Sequence, residues 1–313
     1  MILSVSRRTD VPSYYAEWFF NRIKEGFLYV RNPMNPHQIS RIDLSPEVVD
    51  CIVFWTKNPL PMLDRLDELK DYRYYFQFTL TGYGKDVEPY VPHKKETMIP
   101  AFQRLSKQIG KERVIWRYDP IFFTDTYTKE YHLKAFEQIA EALKGYTDTC
   151  VISFLDWYAK MDKNMQGLGV QEKGETELKV FATKISRIAK QNGMRMLSCA
   201  EKYDLAECGI EHGHCIDKAL IEKIIGCSIQ VNRDKNQRQE CGCVESIEVG
   251  TYNTCRNGCR YCYANYSMES VQKSSQFYDV NSPLLCGSLQ EGDKITERKV
   301  KSLKEFTQLK LEL

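Results

Sequence analysis

The sequence predicts an α/β protein: a partial or full (β/α) barrel of about six parallel strands, with a cysteine-rich C-terminal segment over the strand C-terminal face. Three observations predict it. Six short apolar, β-branched or aromatic runs alternate with stretches of helical periodicity, the pattern of a parallel sheet covered by helices. Polar residues cluster directly after each run, at the strand ends where βα barrels carry their chemistry. The rhythm then stops near Ile229, and Cys, Gly, Asn and Arg dominate through Asn265.

The runs are Ile2–Ser6, Cys51–Trp55, Tyr74–Leu80, Val114–Tyr118, Cys150–Phe154 and Met194–Ser198. Each is short enough for a strand and apolar enough to be buried on both faces. Helices are predicted between them. Ser13–Glu25 spaces Tyr14, Tyr15, Trp18, Phe19 and Ile23 along one face. Lys129–Leu143 does so with Leu133, Phe136, Ile139, Ala140 and Leu143, and Glu175–Gln191 with Leu178, Phe181, Ile185 and Ile188 before an Asn192-Gly193 stop. Gly82–Pro100 and Lys160–Gly174 read as mobile connections able to act as lids. A helix is expected around Glu297–Leu313. The division is a β/α barrel domain over 1–228 and a cysteine-rich, cluster-binding segment with a C-terminal helix over 229–313.

Composition narrows the class. Hydrophobic residues make up 42% and charged residues 27% of 313 residues, enough to bury a substantial core. The net charge of +2 gives no global field for nucleic acid or membrane. Charge comes too early after Met1 for a secretory signal, and no apolar run of about 18 residues exists to cross a membrane. Twelve cysteines without an export signal point to a cytoplasmic location and to metal or redox chemistry, not to a disulfide framework.

The most informative of them are Cys255, Cys259 and Cys262, in Thr-Cys-Arg-Asn-Gly-Cys-Arg-Tyr-Cys-Tyr-Ala. Three thiolates at C-x3-C-x2-C spacing can hold three corners of a 4Fe-4S cluster. No fourth cysteine follows at short range, which leaves one iron open, and an open position marks a catalytic centre. Cys199, Cys215, Cys241 and Cys243 form a candidate second metal site, an iron–sulfur cluster first and zinc second, with Cys-Gly-Cys at 241–243 turning two thiolates toward one metal. Cys51 and Cys150 read as buried small hydrophobes, and Cys286 as structural. Cys208, Cys227, His212 and His214 are weaker ligand candidates.

The triplet, with Tyr261 before its last cysteine, resembles the radical S-adenosylmethionine (radical SAM) signature. The chain also resembles a bacterial family of unknown function with that motif at its C-terminal end. That resemblance rests on Ser6–Asp10, Phe54–Pro59, Trp116–Pro120, Ser198–Glu201, Asp234–Arg238 with Cys241–Cys243, and Gly250–Asn253. Thr56-Lys57-Asn58 and Arg117-x-Asp119-Pro120 are similar to elements of spore photoproduct lyase-like radical SAM proteins, which act on DNA. The resemblance implies a cluster whose open iron binds SAM and cleaves it to a 5′-deoxyadenosyl radical. It also implies an electron donor such as flavodoxin or ferredoxin, and it allows a nucleic-acid substrate. Lys57, Arg117 and Asp119 are then the candidate catalytic residues, and Arg7, Arg8, Asp10, Thr56, Asn58 and Glu201 the candidate residues for binding cofactor and substrate. In the superfamily the triplet follows the first barrel strand. Here it follows all six, so either the C-terminal segment folds back over the mouth or the topology is permuted, with Ser246–Gly250 as a strand feeding the triplet.

A second reading is a zinc- or iron–sulfur-stabilised nucleic-acid-binding protein without radical chemistry. Arg256, Arg260, Tyr261 and Tyr263 interleave basic and aromatic groups in the manner of single-strand binders.

Overall fold

The computed structural model describes residues 1–305. In chain order the strands are β1 (Ile2–Val5), β2 (Phe27–Arg31), β3 (Gln38–Asp43), β4 (Cys51–Thr56), β5 (Tyr74–Thr79), β6 (Val114–Ile121), β7 (Thr149–Phe154), β8 (Arg195–Cys199), β9 (Ile210–Gly213), β10 (Ile247–Glu248) and β11 (Lys294–Glu297). The α-helices are α1 (Val11–Tyr14), α2 (Ala16–Glu25), α3 (Leu60–Leu63), α4 (Ile99–Ile109), α5 (Lys129–Leu143), α6 (Asp162–Met165), α7 (Glu175–Gln191), α8 (Lys218–Ile225) and α9 (Met268–Ser275).

Eight strands form one parallel sheet in the order β10-β1-β4-β5-β6-β7-β8-β9. All six predicted strands lie in it, each feeding a parallel neighbour through a crossover, as βα alternation requires. Its outer strands, β9 and β10, are not paired with each other among the described residues, so the sheet is not closed. Beyond the six, β10 (Ile-Glu) falls within Ser246–Gly250, the segment read as a possible strand feeding the triplet, and β9 (Ile-Glu-His-Gly) was not expected because it is a short edge strand with exposed polar residues and no apolar run. A separate sheet, β11-β3-β2, was also not predicted. Its strands bury only scattered residues such as Leu28, Ile39 and Ile42.

Alternate side chains of the large sheet enter two cores. Leu3, Phe54, Phe76 and Trp116 pack with Phe102 of α4, Phe136 of α5 and Phe181 of α7. Phe54 stacks on Phe76 at 4.7 Å between ring centroids, and Trp116 on Phe136 at 4.7 Å. Each such pair adds about 0.5–1.5 kcal/mol beyond its buried area. On the other face, Ile2, Val53, Tyr75, Ile115, Val151 and Leu197 are covered by Cys215, Ile216, Ile221, Ile229, Cys241, Cys243 and Val244. The cysteine-bearing stretch, with α8, therefore plugs the face of the sheet opposite α4, α5 and α7.

α5 and α7 coincide with their predicted ranges. The expected helix over Ser13–Glu25 is divided at Tyr15, where the backbone leaves helical geometry (φ −135°, ψ 22°). The expected C-terminal helix is corrected in part: its first residue ends β11, residues 298–305 form no helix, and the remainder lies outside the described residues.

Candidate functional site

At the C-terminal ends of the sheet lies one cavity of about 430 Å³. Arg7, Arg8, Asp10, Thr56, Lys57, Arg117 and Asp119 line it, and so do all seven cysteines proposed as ligands. The residue types that the sequence scatters over some 250 positions thus share a single chamber.

β10 explains how the triplet arrives there. Leu3 and Ser4 of β1 register with Ile247 and Glu248, so the triplet loop leaves an edge strand of the sheet and crosses the ends of its neighbours. Glu248 fixes the junction. It accepts hydrogen bonds from the Ser4 hydroxyl (2.6 Å), the Ser6 hydroxyl and the Arg7 backbone N–H (3.0 Å). Gly250 follows directly, and a Cβ there would collide with the Ser6 hydroxyl.

Asp10 is the hub between the rim and the triplet. Its carboxylate accepts from Ser13 N–H (3.1 Å), Thr56 Oγ1 (2.7 Å), Lys57 N–H (2.8 Å) and Asn257 Nδ2 (2.9 Å). Four donors occupy the buried carboxylate, which ties Thr56 and Lys57 to the triplet loop. Asn257 lies between the first two cysteines, and its Oδ1 accepts from Tyr14 OH at 2.9 Å. Tyr15 OH donates to Thr254 O at 2.6 Å, and Asn265 Nδ2 to Cys255 O at 2.7 Å.

Lys57 ion-pairs with Glu88 at 2.7 Å. Glu88, 1% exposed, also pairs with Lys94 and accepts from Thr81 Oγ1 (2.9 Å) and from Tyr261 OH. Burial pushes the Glu88 carboxyl up, but the Lys57 and Lys94 ammoniums outweigh it and hold it at about 2. Burial likewise opposes the Lys57 charge, and Glu88 reverses that and raises the ammonium above its ordinary value. The Arg117 fork is filled as well: it donates to both oxygens of Asp119, and its Nη1 to Cys215 Sγ at 2.7 Å. Lys57, Arg117 and Asp119, the expected catalytic residues, thus stand as paired groups beside the two cysteine sets. Arg7 is held by Glu248 and by Asp234 at 3.7 Å. Arg8 is different. Among the described residues it makes no ion pair, its guanidinium reaches only Gly250 O (3.4 Å), and it lies over the Tyr252 ring.

Two candidates fall outside the cavity lining. Asn58 Oδ1 accepts from Leu60 N–H at 3.2 Å and caps the start of α3. Glu201 accepts from Phe154 N–H at 2.6 Å and holds the end of β7; burial lifts its pKa to about 7. The two expected lids are also corrected. Val87 O accepts from Arg260 N–H (3.0 Å), Asn257 O from Tyr90 N–H (3.3 Å), and Asn164 O and Gln166 O from the Arg260 guanidinium (each 2.6 Å). Both connections clasp the triplet loop. Arg256 lies over the Tyr15 ring, and Tyr261 is buried, so of the four basic and aromatic residues read as a stacking face, only Tyr263 is turned outward (44% exposed).

Burial raises the thiols of Cys255 and Cys259, the latter to about 12 with Lys57 opposing. In the other group Cys199 Sγ and Cys215 Sγ are 3.0 Å apart. Cys243 Sγ accepts from Ile216 N–H at 3.4 Å, and Cys241 lines the same cavity. Among the described residues no three His, Cys, Asp or Glu side chains already stand as ligands around a single ion. The thiols of a cube each take a different iron and do not converge on one point. For the triplet the fit rests on three cysteines of one braced loop facing one cavity.

The site defines an α/β protein with a parallel sheet whose C-terminal ends and seven cysteines enclose a common chamber. The chain belongs to the family described as domain of unknown function (DUF1848), whose model matches residues 2–264 and so includes the triplet. No curated protein matches the chain. No helix among the described residues is long and apolar enough to cross a membrane.

Proposed function

We propose that the protein is an iron–sulfur enzyme of the radical SAM type, with Cys255, Cys259 and Cys262 as the ligands of a 4Fe-4S cluster. The observation that carries this reading is the convergence of the triplet loop with the strand ends in one chamber. An open-cornered cluster with SAM bound supplies one-electron cleavage of a SAM carbon–sulfur bond. The chain's own residues hold, screen and orient. Asp10 and Asn257 fix the loop. Tyr261 and the Glu88–Lys57–Lys94 group close the chamber behind it with paired charges. A dry wall suits radical chemistry, because water and loose side chains are competing hydrogen donors. Among the described residues Arg8 is the cavity cation without a carboxylate partner, and its planar fork fits the carboxylate of SAM.

The order of elements also favours this reading. In space the triplet follows β10, the strand at the edge of the sheet next to β1, so a motif late in the chain sits after a first strand of the sheet. This is the permuted arrangement allowed by the sequence.

The test is anaerobic reconstitution with iron, sulfide and a reductant, followed by assay for 5′-deoxyadenosine. The intact protein is expected to cleave SAM. Arg8→Gln is expected to weaken SAM binding about tenfold or more, the loss of one charge-assisted contact of about 1.5–3 kcal/mol. Cys255→Ala/Cys259→Ala/Cys262→Ala is expected to lose the cluster iron and the cleavage. Unchanged iron and cleavage in that variant would overturn the proposal.

A further inference from the structure

We propose that Cys199, Cys215, Cys241 and Cys243 form a second, closed centre that binds one thiophilic divalent cation, Zn²⁺, through four thiolates. This goes beyond the function proposed above and stands whether or not the triplet carries a cluster.

The four cysteines come from three separate segments: the end of β8, the turn after β9, and the Cys-Gly-Cys preceding β10. Cys199 Sγ and Cys215 Sγ nevertheless lie 3.0 Å apart, and all four cysteines line one cavity without a disulfide. Thiols are weak donors and weak acceptors, so hydrogen bonds among themselves are a poor reason to gather four of them. The groups around them suit thiolates better. Arg117 Nη1 is aimed at Cys215 Sγ at 2.7 Å, and Ile216 N–H at Cys243 Sγ at 3.4 Å. Tyr75 OH (2.7 Å) and Gln77 Nε2 (2.9 Å) hold the Cys215 carbonyl from β5, which fixes where its thiol points. A Cβ on Gly242 would collide with the His214 ring, so the residue between the paired cysteines has no room for a side chain. His214 Nδ1 is buried there without a hydrogen-bond partner and as an N–H can donate to a metal-bound sulfur.

Spacing decides between one ion and a cube. Zinc–sulfur bonds of about 2.3 Å place the sulfurs of a tetrahedral site about 3.8 Å apart. The cube holds each thiolate on a different iron and spreads them further. The 3.0 Å approach of Cys199 and Cys215 is on the side of the single ion. Among the described residues the four free thiols are not arranged about a centre. Zinc displaces the thiol protons, one to solvent for each thiol still protonated, and draws the sulfurs around itself. Zinc with four thiolates carries a net charge of −2, and Arg117 lies against one of the four sulfurs. The centre would bind β8 and the turn after β9 to the segment that continues into β10 and the triplet loop.

Metal analysis of the full chain tests this, with zinc supplied after chelation. About one zinc per chain is expected, retained in Cys255→Ser/Cys259→Ser/Cys262→Ser and lost in Cys241→Ser/Cys243→Ser. Cobalt in place of zinc should give the visible spectrum of a tetrahedral thiolate site in the same two patterns. Alkylation read by peptide mass spectrometry needs no variant: zinc should protect Cys199, Cys215, Cys241 and Cys243 together. Iron and sulfide at these four positions, alkylation unaffected by zinc, or a Cys199–Cys215 disulfide in the zinc-treated protein would each overturn the proposal. A zinc-binding protein that fails to cleave SAM would sink the radical reading and leave this one standing.

Discussion

Buried among Lys57, Lys94, Thr81 and Tyr261, the Glu88 carboxylate is shared by two ammonium groups, and burial with the neighbouring Lys57 charge still lowers the Lys94 pKa. Removing one member of a buried charge group costs about 3–5 kcal/mol, because the remaining charges lose their partner. Glu88→Gln is therefore expected to lower the unfolding free energy in urea by that amount. The pH dependence has a definite sign. Glu88 is held at about 2, below its ordinary value of 4.5, so its contribution is present above the ordinary carboxylate range and fades as pH falls toward 2. Glu201 runs the other way. Its pKa of about 7 lies above the ordinary 4.5, so the folded chain holds a proton that the unfolded chain has released. Stability from this site is greatest in acid, declines as pH rises through that interval, and levels off above it. The interval corresponds to on the order of 3 kcal/mol. Glu201→Gln keeps the acceptor for Phe154 N–H and removes the titration. Urea unfolding between about pH 5 and pH 8 should show wild type losing stability relative to the variant; parallel curves would contradict the assignment.

At the scale of elements, the short strand β10 carries more of the site than its length suggests. It sets the triplet loop beside β1, and Gly250 lets the loop pass against Ser6. Gly250→Ala is expected to cost about 1–3 kcal/mol from overpacking and to reduce iron uptake at the triplet. Normal iron content would show that the loop finds its place without this contact. What the sequence reveals of these elements follows from burial. α5 and α7 are readable end to end because each carries an apolar stripe with a stop signal. The six central strands are readable because both faces are covered. β9 and β10 are edge strands with polar residues, and β2, β3 and β11 pair in a second sheet outside that rhythm. The two loops that look like lids have the Pro, Gly and Lys of mobile segments, yet Val87 and Glu88 in one and Met161 and Met165 in the other are buried.

Across the whole molecule, one sheet supports two groups of cysteines by different means. The triplet lies on a loop leaving the sheet edge, while Cys199 ends β8 and Cys215, Cys241 and Cys243 belong to the plug on the sheet face away from α4, α5 and α7. The cysteines and the rim polars were legible because their residue types are informative alone. Their partners were not: Asn257 meets Asp10 across 247 positions and Tyr261 meets Glu88 across 173, contacts that no local pattern encodes. Lys57 pairs with Glu88 31 positions away, while Arg117 pairs with Asp119 two residues on, and among the described residues Arg8 faces the chamber without an acidic partner. The most direct measurement of the central claim is iron and sulfide analysis after anaerobic reconstitution of Cys241→Ser/Cys243→Ser, with electron paramagnetic resonance spectra of the reduced protein before and after addition of SAM. The account predicts about four iron and four sulfide per chain, with a cluster signal that changes when SAM binds the open corner. A protein that takes up no iron, or whose cluster signal SAM leaves unchanged, would contradict it.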